Sequence, residues 1–198
     1  MTDMTSTKGD EMLVKLAVTT ALDEAKKQGA TSADAAAGMD SGLSVTVRNA
    51  DIETLEHHRN QSLSVTVYQG QRKGSASTSD LSPDAIREAV EAANRIARFT
   101  SEDDCAGLAD AELMATEFPD MDLYHPWDIT AEQAIDIAKD CEAAAVGQDK
   151  RITNSEGASV NAFQGVSAYA NSHGFMGIKR GTRHSISCSV IAQDEQGM

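Results

Sequence analysis

Histidine, cysteine and carboxylate side chains are the first candidates for chemistry in this chain, because they are the usual ligands of protein zinc sites. The five histidines are His57, His58, His125, His173 and His184. The adjacent pair lies in a segment with strand character, where neighbouring side chains point to opposite faces and cannot share one ion. The other three are far apart, without the short spacing of a helical or hairpin site. The sequence therefore predicts no metal site of its own.

Nucleophilic catalysis is the second chemistry to consider, because serine and histidine are neighbours at residues 172–173 and 184–185. Neighbouring side chains on a strand face apart, and no Gly-x-Ser-x-Gly elbow occurs. Serine and histidine in turns commonly bond to the backbone instead. The glycines at residues 174, 177 and 181 form no dinucleotide fingerprint, and residues 72–75 lack the Walker spacing. We therefore predict no catalytic residue in this chain.

A basic cluster in an otherwise acidic chain is a stronger candidate for binding than any group is for catalysis. Residues 179, 180 and 183 are Lys or Arg, and a histidine follows. This cluster could hold a peptide carboxylate or an acidic partner surface, or it could balance the acidic segment at residues 102–128. Residues 171–174, Asn-Ser-His-Gly, are typical of a strand–turn–strand corner, for which an architectural role is the alternative to binding. The candidate contacts for a peptide or a partner are Asn171, Ser172, His173, Arg183 and His184.

Composition narrows the class of protein. Asp and Glu number 31 against 17 Lys and Arg, a formal charge of −14, and such a surface repels nucleic acid. Apolar residues make up 40% and aromatics 4%, so the core rests on small aliphatic side chains. No run of residues is apolar enough for a membrane helix, and residues 1–10 lack a secretory signal. Cys105, Cys141 and Cys188 fit no disulfide framework, which favours reduced thiols in a cytoplasmic protein.

Two identical five-residue strings identify strands. Residues 43–47 and 63–67 both read Leu-Ser-Val-Thr-Val, with a shorter alternating stretch at residues 52–55 between them. Alternation with β-branched residues predicts half-buried strands in an antiparallel meander. The same alternation predicts four further short strands at residues 158–163, 166–171, 175–179 and 183–192.

Helical periodicity precedes each group of strands. Residues 11–28 carry a helical stripe that ends near Gly29, and a second helix begins with Ser82 as its cap and Pro83 at the first position. A third begins with the capping-box pattern Thr130 to Gln133 and ends at Gly147. The predicted class is α+β, with two helix-plus-antiparallel-meander lobes. We place the first lobe at residues 1–99, an ordered acidic connector at 100–129, and the second lobe at 130–198.

The connector and the carboxyl end complete the prediction. Residues 124–127, Tyr-His-Pro-Trp, are the one bulky cluster in the acidic connector and should pin it to the rest of the molecule. The last predicted strand is followed by a turn at residues 193–198 with no returning strand. Because an unpaired strand edge is a liability, we expect the fold to continue in a further carboxyl-terminal half.

Two strings resemble a known family. Residues 72–83 read Arg-Lys-Gly-Ser-Ala-Ser-Thr-Ser-Asp-Leu-Ser-Pro, and residues 150–185 include Lys-Arg-Ile-Thr-Asn, Asn-Ser-His-Gly and Thr-Arg-His-Ser. Both resemble the amino-terminal half of the TldD/PmbA family, also called modulators of DNA gyrase, and its PmbA (TldE) branch in particular. The matching regions run from about residue 40 onward.

The resemblance implies a role within an assembly. It implies the amino-terminal region of a PmbA/TldE-like subunit of a heteromeric zinc peptidase that acts on unfolded or small peptides. The family's metal motif, His-Glu-x-x-x-His, lies in the carboxyl-terminal half of the peptidase subunits, and zinc is expected in a TldD-like partner. This chain would then shape the chamber and be inactive alone, without contact to membranes or nucleic acid. The alternative is a non-enzymatic α+β binding module that modulates a larger complex such as DNA gyrase.

Overall fold

The computed structural model describes residues 4–194 and residue 197. Three helices and five strands, with one 3₁₀ turn at Ala111–Leu113, follow in chain order: α1 (Met4–Lys27), β1 (Ser32–Arg48), β2 (Asp51–Gln69), β3 (Arg72–Thr78), α2 (Pro83–Phe99), α3 (Ala131–Val146), β4 (Ile152–Asn171) and β5 (Met176–Ala192). The α+β prediction is confirmed. No helix among the described residues is long and apolar enough to cross a membrane. The turn predicted at 193–198 lies partly outside the described residues.

All five strands form one antiparallel sheet in the order β3-β2-β1-β4-β5. Strand β1 lies at its centre and pairs with β2 on one side and with β4 on the other, from Asp34 opposite Asn171 to Val47 opposite Ala158. The strands of the two predicted lobes therefore continue into each other through the β1–β4 pairing. The three-part division of the chain remains a prediction.

The strands are longer and fewer than the sequence patterns predicted. The four short strands predicted after residue 157 are only two, β4 and β5, because Gly165 and Gly181 lie opposite each other inside the ladder and do not end it. Likewise β1 begins eleven residues before the predicted residue 43, through a run of alanines with little β-propensity. The prediction of an additional short strand at 52–55 was wrong, since these residues belong to β2.

One face of the sheet, which we call the helix face, carries all three helices. Odd-numbered residues of β1 from Ala33 to Val47, except the half-buried Ser41, are buried on this face, whereas even-numbered ones line the opposite or open face. Helices α1 and α2 cover one end of the helix face and α3 covers the other. Two clusters result. The fully buried residues of the first are Val14, Val18, Ala21, Ala25, Ala35, Leu63, Val65, Val67, Val90 and Ala93, and those of the second are Val45, Val47, Ala134, Ala138 and Ala158.

The helix termini are formed as the sequence indicates. The Ser82 side chain accepts a hydrogen bond from the backbone N–H of Ala85, and Thr130 and Gln133 form a reciprocal capping box. The buried stripe of α2 differs at one position. Helical periodicity places Ile96 on the same stripe as Ile86, Ala89 and Ala93, but Ile96 is 47% exposed and Ala97 is buried in its place.

Strand β3 explains the small residues of the 72–78 segment. A Cβ atom at Gly74 would lie 2.2 Å from the carbonyl oxygen of Ala93 and 2.4 Å from the nitrogen of Ala97. The backbone of α2 therefore packs directly on the backbone of β3, and only glycine permits this approach.

We predict that Gly74→Ala lowers the free energy of unfolding by about 3 kcal/mol, as overpacking in a well-packed core does. Gly38→Ala is the matched control, since its Cβ would meet its nearest neighbours at 3.8 Å, an ordinary contact. Urea unfolding of both variants measures the difference. Equal stabilities of the two variants would show that α2 can move away without loss.

A buried carboxylate holds the β1–β2 hairpin. The two-residue turn has positive φ at Asn49 (52°) and Ala50 (64°), and both of their N–H groups donate to Glu142 of α3, at 2.9 and 2.8 Å. Burial acts to raise the pKa of Glu142, but hydrogen bonds from Ser155 and from the two backbone groups, with the charge of Arg48, outweigh it and lower that pKa.

Glu142→Gln should lower the free energy of unfolding at pH 7 by about 1–2 kcal/mol, because an amide presents only one acceptor to two donors. The folded-state pKa of Glu142 is lowered, so its stabilisation is complete above the unfolded value of 4.5 and is lost as pH falls through the folded value. The difference between wild type and variant, measured by urea unfolding from pH 7 to pH 3, should shrink with acidification. A constant difference over that range would contradict this account.

Candidate functional site

The corner between β4 and β5 is tied together by its own side chains. Asn171 is 3% exposed, and its Oδ1 atom accepts hydrogen bonds from the backbone N–H groups of His173 and Phe175, at 3.1 and 3.3 Å. The Ser172 side chain accepts from the N–H of Ala33 in β1, at 3.1 Å. These contacts stabilise the corner and anchor it to the central strand. The role of Asn171, Ser172 and His173 in peptide or partner contact remains a prediction.

The two candidates on β5 face opposite sides of the sheet. His184 lies on the helix face, where its Nε2 atom is 2.9 Å from the carbonyl oxygen of His125 and its ring meets the edge of Trp127 at 5.5 Å. Arg183 is exposed on the open face, opposite Phe163 of β4, and forms no ion pair within the described part of the chain. The structure therefore does not bring the two side chains together.

The described residues do not fit a metal. Within residues 4–194 no three His, Cys, Asp or Glu side chains are grouped so that they could hold an ion. His57 and His58 lie on opposite faces of β2, as predicted, since one pairs with Leu43 on the helix face and the other with Gly42 on the open face. The His173 ring is engaged at Nδ1 with the carbonyl oxygen of Ala109, at 3.1 Å.

The connector follows the outer edge of β5, as its aromatic cluster predicted. The carbonyl oxygen of Leu123 accepts from the N–H of Thr182 at 2.9 Å, and the Tyr124 hydroxyl donates to Gln164 at 2.9 Å. Residues 117–122 stand away from the strand and leave a cavity of about 1000 Å³. Its walls are mainly aromatic and aliphatic, formed by Phe118, Met121, Leu123, Tyr169, Phe175 and Ile178.

The floor of this cavity is the outer edge of β5, with which no other strand of the described residues pairs. In an antiparallel ladder, successive residues direct their backbone groups alternately toward and away from the partner strand. Asn171 donates to Phe175 across the corner, whereas Thr182 donates outward to the connector, and the register is continuous between them. The N–H and C=O groups of Ile178 and Arg180 therefore point away from β4, into the cavity.

The charges around the cavity are arranged on two sides. Lys179 is exposed on the strand side, while Glu117 and Asp120 lie on the connector side. Arg180 is paired with Glu11 of α1 and not with a carboxylate of the acidic connector. The cavity holds no neighbouring nucleophile and base, and its arrangement is suited to binding.

The side chains of Asp34 and Tyr68 form a polar pair at the end of the sheet near the β4–β5 corner. Burial raises the pKa of Asp34, and the hydrogen bond from the Tyr68 hydroxyl, at 3.5 Å, partly opposes this. Burial likewise raises the pKa of Tyr68, assisted by the charge of Asp34 and by Tyr169. This pair links β1 to β2, and Tyr68 lies at the end of the ladder opposite Ser32.

Sequence reasoning did not identify the cavity. Its wall residues on the connector lie in an acidic segment without periodicity, where no regular pattern marks a site. One signal was present, namely three large apolar residues at 118, 121 and 123 within that polar stretch. These side chains are 60%, 61% and 46% exposed, an unusual concentration for a soluble surface.

Two substitutions distinguish architectural residues from exposed ones. Asn171→Ala should lower the free energy of unfolding by about 2 kcal/mol, because two N–H groups of the corner lose their acceptor. Arg183→Ala should change it by less than about 0.5 kcal/mol, since the side chain is exposed and unpaired. Thermal and urea unfolding measure both. A strongly destabilised Arg183→Ala variant would mean that this side chain supports the fold.

Comparison with protein families gives two adjacent matches. Residues 33–97 match the model of the PmbA/TldA metallopeptidase domain 1, and residues 124–198 match that of the PmbA/TldA metallopeptidase central domain. The cavity and the β4–β5 corner lie mostly in the second region.

Curated relatives and solved structures agree with these matches. The chain is 48% identical to the Metalloprotease PmbA homolog of Haemophilus influenzae over 191 residues, which is 96% of the chain and 42% of the relative. It is 45% identical to Metalloprotease PmbA of Escherichia coli O157:H7, covering 94% of the chain and 41% of that protein.

A modulator of DNA gyrase from Bacteroides thetaiotaomicron superposes with a TM-score of 0.80 at 24% identity, covering 91% of this chain and 41% of that one. TldE from Thermococcus kodakarensis gives 0.68 at 16%, covering 90% and 40%. The chain spans about two fifths of the length of these relatives. It belongs to the PmbA/TldD metallopeptidase family.

Proposed function

We propose that this chain is the amino-terminal region of a PmbA/TldE-like subunit in a heteromeric metallopeptidase that acts on unfolded or small peptides. In this proposal a TldD-like partner supplies the zinc that activates water for hydrolysis. The present chain forms a wall of the peptide chamber and contributes no catalytic group. Its place of action is the cytoplasm.

The single observation that carries the proposal is the combination of family membership with a donor set unsuited to metal. The relatives named metalloproteases are more than twice the length of this chain, so the residues that bind their metal need not lie in the shared region. Within the described residues, the histidines are engaged with backbone carbonyls or lie on opposite faces of the sheet. A structural role in an assembly is consistent with these features.

The exposed residue Arg183 supports a contact with the partner. It lies on the open face of the sheet, which no helix covers, and the chain is acidic enough that an exposed unpaired arginine is well placed for a carboxylate of another molecule. His184, on the helix face beside Trp127, is offered as a second contact. Asn171, Ser172 and His173 would act by holding the corner that presents them.

Reconstitution with a TldD-like protein tests the proposal. The purified chain should not cleave an unfolded casein peptide with or without added Zn²⁺, and it should co-purify with the TldD-like protein. Arg183→Ala should weaken that association at least tenfold, whereas Arg87→Ala, at a comparably exposed position on α2, should not. Co-purification and microscale thermophoresis provide the measurements.

Two results would overturn the proposal. One is peptide cleavage by the chain alone that is abolished by a chelator, since the metal would then be held here. The other is stable association with DNA gyrase without any affinity for a TldD-like protein, which would favour a non-enzymatic binding module.

A further inference from the structure

We propose that the cavity between the connector and β5 binds an extended peptide segment, which adds a short strand to the edge of β5 and places an apolar side chain against Phe118 and Phe175. The inference depends on the proposed function only in taking a peptide as the occupant. It assigns the binding to this chain by itself, without the partner and without metal.

Backbone pairing is the first reason for a peptide. Ile178 and Arg180 each direct one N–H and one C=O into the cavity, and the connector makes its backbone bond to β5 only at Thr182 among the described residues. Residues two apart on a strand are separated by roughly 6.7 Å, which is the repeat of a second strand laid alongside. A peptide of three or four residues therefore satisfies these four groups in the manner of β-augmentation.

The apolar walls are the second reason. Gly177 faces the open side of the sheet, and a Cβ atom there would lie 3.3 Å from the ring of Phe175 and 3.6 Å from the ring of Phe118. The absence of a side chain at this position lets the two rings, whose centroids are 5.6 Å apart, pack over the strand. Tyr169 lies beside them, with its ring 5.8 Å from that of Phe175. Phe118 is 60% exposed, so the cluster presents an aromatic surface against which an aromatic or branched side chain of an extended peptide packs.

Charge restricts the class of peptide. The chain carries a net charge of −14, and the connector side of the cavity presents the two carboxylates Glu117 and Asp120, whereas the strand side presents one exposed cation, Lys179, beside the paired Arg180. The summed field repels acidic peptides and attracts neutral or basic ones. The occupant is therefore an extended segment with an apolar residue at its centre and lysine or arginine at its ends.

The experiment uses the 198-residue chain and a fluorescein-labelled peptide of sequence Lys-Thr-Phe-Thr-Leu-Lys, with binding measured by fluorescence anisotropy. A set of peptides carries a single backbone N-methyl group at each residue in turn. Strand addition predicts an alternating result, in which methylation at every second position weakens binding at least tenfold and methylation between them has little effect. If every N-methylated peptide binds as tightly as the parent, the proposal is overturned, because nonspecific binding to an apolar pocket would give that result.

Matched glycine variants provide the second measurement. Gly177→Val should displace the rings of Phe118 and Phe175 from the strand and weaken peptide binding at least tenfold. Gly107→Val is the control, since a Cβ there meets nothing within 4 Å and the residue lies outside the cavity. Unchanged affinity of the Gly177→Val variant would place the peptide elsewhere and overturn the proposal. If this variant is unfolded by circular dichroism, the N-methyl series decides alone.

Failure here and failure of the proposed function are distinguishable. The anisotropy experiment contains neither a TldD-like protein nor zinc, so its result does not depend on assembly. A chain that joins the partner but binds no peptide at this edge retains the proposed function and loses only this inference. A chain that binds the peptide with the alternating pattern of methylation effects but never associates with the partner supports this inference and contradicts the proposed function.

Discussion

The unbroken pleat of the central strand governs the arrangement of this molecule. Strand β1 pairs with β2 along its length and with β4 over fourteen successive positions, from Asp34 to Val47, without a shift against β4. Because side chains alternate at a period of two, a slip of one residue would move every buried side chain of β1 to the opposite face. The helices at both ends of the sheet depend on that phase, since α1 and α2 pack on its first half and α3 on its second half.

Close backbone approaches then determine where each helix can lie. Helix α2 rests on Gly74, and a buried carboxylate of α3 binds the N–H groups of a hairpin turn whose two residues both have positive φ. These contacts are local, but each links a helix to the sheet at a single orientation. The consequence is that the three α-helices of the described chain all lie on one face of the sheet.

Much of the secondary structure was predictable from local chemistry, and the extent of the sheet was not. Ser82, Pro83 and the Thr130–Gln133 capping box identified two helix starts, because caps are formed by residues adjacent in sequence. By contrast, the alanine-rich first half of β1 and the strand β3 have weak intrinsic β-propensity and are strands only because neighbours pair with them. The predicted strands stop on either side of Gly165 and Gly181, although the ladder runs through both glycines.

In the candidate site, too, local features were predictable from sequence and contacts between distant segments were not. The corner residues from Asn171 to His173 were found from sequence, because a turn is a local motif, and their hydrogen bonds account for that motif. The cavity is formed by a connector and an edge strand about sixty residues apart, and no local pattern joins Leu123 to Thr182.

The cavity also bears on how the family's longer proteins use this region. A sheet whose helix face is filled and whose edge is only partly covered can bind other chains through backbone groups, which accept many sequences. Residues that make specific side-chain chemistry are not required for this purpose. Small polar side chains on the open face, such as Ser44, Thr46 and Asn161, support the proposed role as a wall for varied peptides.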